Sequence, residues 1–280
     1  MNDTTPKIVI SIAPNGARKT KSDHANIPIT PAEIAAEAKR SVEQGASLLH
    51  LHVRDDNQGH ILDVERYKAA TKAVREAVGD NLIIQATSEA CGVYTAKEQI
   101  AIMKELEPEA VSLAIREIVP DLAHEAEAKS YFLWLKSKGA CPQFILYNNE
   151  DALRFFDLKK RGVIPASFNC VLFVLGRYSA GQKSSPTDLL PYLHVLSQQG
   201  EKAHNVMWSV CAFGKLEAAC MLSAGLMNGH VRIGFENNMH LADGSLAENN
   251  AELVKQFVKV ANISGREIAT AKEARKILFT

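Results

Sequence analysis

Two histidines separated by one residue, in Leu49-His50-Leu51-His52-Val53-Arg54, are the residues of this chain best suited to chemistry. Side chains alternate faces along a strand, so His50, His52 and Arg54 share one face while Leu49, Leu51 and Val53 share the other. Two imidazoles on one strand face can reach a common cation. A second segment, His230-Val231-Arg232-Ile233-Gly234-Phe235-Glu236-Asn237, alternates in the same way, with Arg232, Gly234 and Glu236 opposite three apolar residues. Two histidines and one carboxylate with an open fourth position make a catalytic zinc arrangement. Zinc suits this ligand set best, and Mn2+ or Fe2+ can also occupy it. The same residues are compatible with hydrogen-bonded core histidines, and with Glu236 as the ion-pair partner of Arg232 or Arg54.

The rest of the chain must bring these two segments together. Short runs rich in β-branched and large apolar residues recur at Lys7–Pro14, Ser47–Arg54, Asn81–Thr87, Ala110–Ile115, Gln143–Asn148, Ser167–Leu175, His204–Phe213 and His230–Asn237. Helical patterns lie between them. ITPAEIAAEAKRSVEQGA opens on a Thr cap followed by Pro and ends at Gly45, DVERYKAATKAVREAVGD ends at Gly79, and TAKEQIAIMKELEP pairs Thr95 with Glu98 as a capping box. Alternating strand and helix predicts parallel βα units, and about eight of them predict a TIM (β/α)8 barrel formed by residues 1–280 as a single domain. A doubly wound open sheet competes, but no βα turn carries the Gly-rich phosphate fingerprint.

In a barrel the helices cover the aliphatic face, so the histidines, Arg232 and Glu236 point inward near the C-terminal rim, where barrel active sites lie. Other polar residues end several strands there: Asn15 to Arg18, Thr87-Ser88-Glu89, Arg116-Glu117, and Tyr147-Asn148-Asn149. Their recurrence after several strands is what an assembled rim site requires.

Composition narrows the partners. The chain has 280 residues, 46% of them hydrophobic, and its formal net charge is zero. This balance predicts no nucleic-acid partner and no anionic membrane partner. Five cysteines without a CxxC pair predict reduced thiols, and no apolar run approaches a membrane span; a cytoplasmic location is expected.

The segments APNGA, IPITPAEIAAEA, GASLLHLHVRD, TSEA, FVLG and GHVRIGFENN together resemble the β-keto acid cleavage enzyme family, from about residue 7 to 260. The resemblance implies a zinc barrel using His50, His52 and Glu236. It also implies that a β-keto acid and the co-substrate acetyl-CoA exchange to give acetoacetate and a new acyl-CoA, in a homo-oligomer, a tetramer by resemblance. Arg232 matches the family's catalytic arginine, and Thr87, with Ser88 beside it, matches a substrate-holding hydroxyl. This chain departs from the pattern at several points. An aspartate base is replaced by Asn237, which leaves that role vacant or filled by another group such as Glu89. Ser88-Glu89 replace a glycine pair. Ala114 replaces a substrate-contacting hydroxyl, with Arg116 two residues on. Arg18 stands where the amino-substrate member carries a glutamate, which points either to an anionic substrate tail or to a solvent-facing arginine. The alternatives to acyl exchange are a metal-dependent aldolase or lyase, and a metal- or metabolite-binding barrel that has lost turnover.

Overall fold

In the computed structural model, which describes residues 6–279, eight parallel strands close into a barrel. They are β1 (Ile10–Ile12), β2 (Leu48–Leu51), β3 (Ile83–Thr87), β4 (Ala110–Ala114), β5 (Cys141–Leu146), β6 (Cys170–Leu175), β7 (Met207–Ala212) and β8 (His230–Ile233). Each pairs with its neighbour in sequence, and β1 closes the ring against β8 through Ile10–Val231 and Ile12–Ile233. The principal helices are α1 (Pro31–Glu43), α2 (Val64–Val78), α3 (Ala96–Leu106), α4 (Glu125–Ser137), α5 (Asn149–Lys160), α6 (Leu190–Gln198), α7 (Glu217–Leu226) and α8 (Asn250–Ala261). The fold is a TIM (β/α)8 barrel.

Local chemistry explains most of these elements. Thr30 and Thr95 cap α1 and α3 as capping boxes with Glu33 and Glu98, and Asp63 caps α2. Each such cap contributes about 1 kcal/mol. Most strands are shorter than the apolar runs predicted; Ser167–Asn169, His204–Val206 and Phe235–Asn237, for example, lie in turns or irregular chain beside β6, β7 and β8. Apolar patterning cannot distinguish a strand end from a buried turn.

The strands divide their side chains by parity. Outward residues such as Leu49, Leu51, Val111, Leu113, Phe144 and Phe173 join the large core against the helices. Inward residues form layers. Val9, Leu48, Ile83, Ala110, Cys141 and Cys170 make an apolar floor, closed from below by Ala274 and Leu278 of a C-terminal helix, Ala271–Leu278. Ala114, Ile145, Leu172, Val174, Cys211 and Phe213 make a second apolar layer nearer the rim. A polar set, including His50, Gln85, Ser112, Gln143 and Ser209, is buried inside the barrel as well. With the floor sealed, the inward groups face the C-terminal rim.

After β2 a short antiparallel hairpin pairs Val53–Arg54 with His60–Ile61. It gives Arg54 a bracing role. Its guanidinium donates to the carbonyls of Gly16 at 2.8 Å and Lys19 at 2.6 Å, and to that of Gln58. Arg54 thus pins the loop after β1 to the rim, and it leaves Glu236 to other partners.

Candidate metal centre

His50 enters the interior by the alternation of β2, and His52 follows just beyond the strand. Glu236 arrives by another route. β8 stops at Ile233, and Gly234, at φ +142°, turns the chain where a Cβ would collide with the Ala13 carbonyl oxygen. Strand parity therefore does not place Glu236; a turn does. The Glu236 N–H donates to the Ala13 carbonyl at 3.1 Å, and those of Asn237 and Asn238 donate to the Gly234 carbonyl at 2.8 and 3.0 Å. Glu217 of α7 accepts from the Gly234 N–H at 3.3 Å and from the Asn238 amide at 3.2 Å. Lys19 Nζ donates to the carbonyls of Phe235 and Glu236 at 2.6 and 3.1 Å. Gly16, at φ +62°, lets the loop after β1 pass where a Cβ would strike Glu236 Cγ.

The three side chains meet closely. His50 Nε2 and His52 Nε2 lie 3.1 Å apart, and Glu236 Oε2 is 3.5 Å from each. A tetrahedral cation with bonds of 2.0–2.1 Å separates its ligand atoms by about 3.3 Å, which these edges bracket. Glu236 Oε1 accepts from Arg232 Nη2 at 2.8 Å, while the buried Oε2 has no hydrogen-bond partner among the described residues. The carboxylate therefore does both things its sequence allowed, pairing with Arg232 through one oxygen and joining the histidines through the other.

Electrostatics prepares the cluster for a cation. Burial, and then the charge of Arg232, lowers His50 to about 4. Burial drives His52 well below the usual histidine value, and the neighbouring His50 and His60 act in the same direction. Both imidazoles are neutral at pH 7, as ligation requires. Burial alone would raise Glu236, but the charge of Arg232, with those of Lys19 and Arg177 beyond it, outweighs burial and holds the carboxyl below its ordinary value. The donor set, its spacing and its orphaned oxygen fit a divalent cation.

His50 and Glu236 of the cluster face a cavity at the rim, lined also by Arg18, Lys19, Thr87, Glu89, Arg177 and Arg232. Glu89 Oε2 lies 3.8 Å from His52 Nε2. Its backbone N–H donates to Thr87 Oγ1 at 3.1 Å, which sets the carboxylate over the cavity. Burial, and then the charge of Glu236, raises the Glu89 carboxyl.

Three other residues singled out from the sequence lie off the cavity wall. Ser88 is buried with Oγ donating to the Ser112 carbonyl at 3.3 Å. Arg116 pairs with Asp151 at 2.6 Å, and its guanidinium sits 4.6 Å from the centre of the Tyr147 ring, so it steadies a cavity wall. Asn237 is buried with both amide atoms unpartnered among the described residues.

Lys19, Arg177 and Glu217 were not recognised from the sequence. Arg177 follows the FVLG segment at the end of β6, so the rule that barrel sites gather at strand ends could have flagged it. Glu217 lies within a helix and carries no local signal.

Glu217 makes a testable contribution to stability. Burial drives its carboxyl up to about 8, while the bonds from Asn238 and Gly234 act the other way. An unfolded glutamate titrates near about 4.3. The folded chain therefore holds the extra proton between those values, and stability falls as pH rises through that window. In Glu217→Gln the melting temperature should vary less than in the wild type between about pH 5 and 8. Parallel curves would assign the pH dependence elsewhere.

Barrel and cluster together define a TIM barrel with a candidate metal centre at its C-terminal rim. The chain belongs to the β-keto acid cleavage enzyme family, whose model matches residues 7–279. It is 34% identical to a 3-keto-5-aminohexanoate cleavage enzyme of Fusobacterium nucleatum, with 97% of each chain covered. It is 27% identical to a 3-oxoadipate:acetyl-CoA acetyltransferase of Cupriavidus necator, covering 98% of this chain and 95% of that one. Among solved structures, the ternary complex of ObcA with a C4-CoA adduct and oxalate superposes with a TM-score of 0.71 at 17% identity, over 91% of this chain and 68% of that chain. That likeness concerns the fold. Among the described residues no helix is long and apolar enough to cross a membrane.

Proposed function

We propose that this enzyme is zinc-dependent and exchanges acyl groups between a β-keto acid and acetyl-CoA, turning R–CO–CH2–COO⁻ and acetyl-CoA into acetoacetate and R–CO–S-CoA. The observation that carries the reading is the neutral His50–His52 pair and the free Glu236 oxygen facing the same cavity as Glu89 and Arg232. A zinc ion held by His50, His52 and Glu236 would supply Lewis-acid chemistry to the keto and carboxylate oxygens of the substrate. Glu89 takes the proton from the carbon between the two carbonyl groups, the role that Asn237 cannot fill. The resulting carbanion attacks the acetyl carbonyl, and the CoA thiolate leaves. The thiolate then attacks the original keto carbon, the carbon–carbon bond breaks, and acetoacetate departs with its proton restored. Arg232, whose buried Nε has no partner among the described residues, is poised to stabilise developing negative oxygen. The Thr87 hydroxyl is free to donate to the substrate carboxylate.

The test is incubation of the zinc-loaded protein with acetyl-CoA and a panel of β-keto acids. Acetoacetate and the new acyl-CoA should form in equal amounts. Cleavage that proceeds without acetyl-CoA would establish a lyase instead, and metal binding without turnover would establish a binding barrel.

The substrate we infer carries a second, distal carboxylate. Arg18 and Arg177 line the cavity, and among the described residues neither has an ion-pair partner, whereas Arg232 is paired with Glu236. A guanidinium binds a carboxylate through two parallel bonds, each charge-assisted bond contributing about 1.5–3 kcal/mol. Arg18→Ala and Arg177→Ala should each lower the ratio of kcat/KM for a dicarboxylate over a neutral β-keto acid of equal length by about 10- to 100-fold. An unchanged ratio in both variants would remove the distal carboxylate from the proposal.

A further inference from the structure

Inside the barrel, between the metal cluster and the far wall, runs a line of uncharged polar side chains. His50 Nδ1 lies 2.9 Å from Gln85 Oε1. Gln85 Nε2 donates to Gln143 Oε1 at 3.2 Å, and Gln143 Nε2 donates to Ser209 Oγ at 3.4 Å. Four strands contribute: β2, β3, β5 and β7. Each of these residues is 2% exposed or less, so no bulk water competes for the bonds. Barrel interiors are usually filled with branched apolar residues, and this interior has apolar layers as well. Two buried amides side by side need a use.

In the structure the chain runs one way, although the Ser209 hydroxyl that ends it can donate as well as accept, so the orientation of the two amides is what the tautomer of His50 has to test. An amide offers an oxygen that only accepts and a nitrogen that only donates. With Gln143 Oε1 receiving the Gln85 nitrogen, Gln85 must turn its oxygen to His50. An oxygen there accepts only from a protonated Nδ1, which leaves the lone pair on Nε2, the nitrogen 3.5 Å from Glu236 Oε2. Reversal of Gln85 would instead favour the other tautomer and place a proton where a cation has to bind. His52 has no such device, because its buried Nδ1 has no partner among the described residues. Ser112 Oγ, at 3.4 Å from His50 Nδ1, is the more distant contact.

We propose that Gln85 is a positioning residue for the metal centre: anchored by Gln143 and Ser209, it holds His50 in the tautomer whose cluster-facing nitrogen is free to ligate. This rests on the reading of His50, His52 and Glu236 as metal ligands. Bonds to the remote nitrogen of a ligating histidine are commonly worth about 10- to 100-fold in metal affinity.

Two measurements separate this proposal from the metal reading itself. The first uses the metal-free protein with 15N-labelled histidine at fixed pH, where NMR assigns the protonated nitrogen of His50. Wild type should show a single tautomer protonated at Nδ1, and Gln85→Leu should show a mixture. The second is a zinc titration against a competing chelator. Gln85→Leu should weaken binding by about 10- to 100-fold. Gln85→Glu, which keeps an oxygen toward His50 while the Gln143 amide reverses, should recover most of the loss. Gln143→Leu, which frees the Gln85 amide to rotate, should fall between the two. A wild-type His50 protonated at Nε2, or full affinity and an unchanged tautomer in Gln85→Leu, would overturn the proposal. If Gln85→Leu does not fold, the wild-type tautomer and the two remaining variants still decide it. A wild type that binds no zinc yet shows the Nδ1 tautomer would reject the metal reading alone.

Discussion

Replacing His50 and His52 together by alanine is expected to abolish metal binding and to lower acyl-exchange activity by on the order of 10³-fold or more. Lewis-acid stabilisation is worth several kcal/mol, and about 1.4 kcal/mol corresponds to a tenfold change in rate. The fold should survive. The imidazoles belong neither to the apolar floor nor to the outer core that packs the helices, and the Arg232–Glu236 ion pair does not need them. Elemental analysis should find about one zinc per wild-type chain and none in the variant, while circular dichroism stays that of a barrel. Full metal occupancy in the double variant would remove His50 and His52 from the site. Loss of both metal and fold would mean that the histidines hold the barrel together, and the single variants would then have to separate the two effects.

Glu89→Gln should lower kcat by about 10²- to 10⁴-fold, the usual range for removing a general base, with much less change in zinc affinity. The glutamine retains the backbone bond to Thr87 Oγ1 and nearly the same volume, but its amide cannot take a proton from carbon. Deuterium exchange at the acidic carbon of the β-keto acid, followed in D2O without acetyl-CoA, isolates that step from thioester chemistry. Wild-type protein should catalyse the exchange, and the variant should leave only the background rate. Exchange at the wild-type rate in Glu89→Gln would discard Glu89 as the base. The base would then have to be another group of the cavity, and Asn237→Asp, which places in the metal turn the aspartate that the resemblance implies, would show whether a carboxylate there speeds the exchange.

The HxH segment at the end of β2 was legible because parity is a property of one short stretch of backbone, and the aliphatic residues beside it identify the covered face. The helix starts at Thr30, Asp63 and Thr95 were legible for the same reason, since a cap and its partner lie within one turn. Eight such βα units determine the barrel, and the barrel determines that the ends of β2 and β8 converge. Tertiary structure decided the remaining assignments. Glu236 reaches the histidines only because Gly234 breaks the pleat and because Glu217, Lys19 and Gly16 hold or accommodate the turn from other elements. Arg116 is occupied because Asp151 lies beside it, whereas Arg18 and Arg177 have no such neighbour among the described residues. Gln85 lies in register with His50 on the adjacent strand, yet its orientation depends on Gln143, 58 residues further along the chain. Periodicity and capping are set by bonds within a few residues and leave their mark in the sequence. The pairing of a charge or an amide depends on which groups the folded chain brings within about 3 Å, so only the closed barrel decides it.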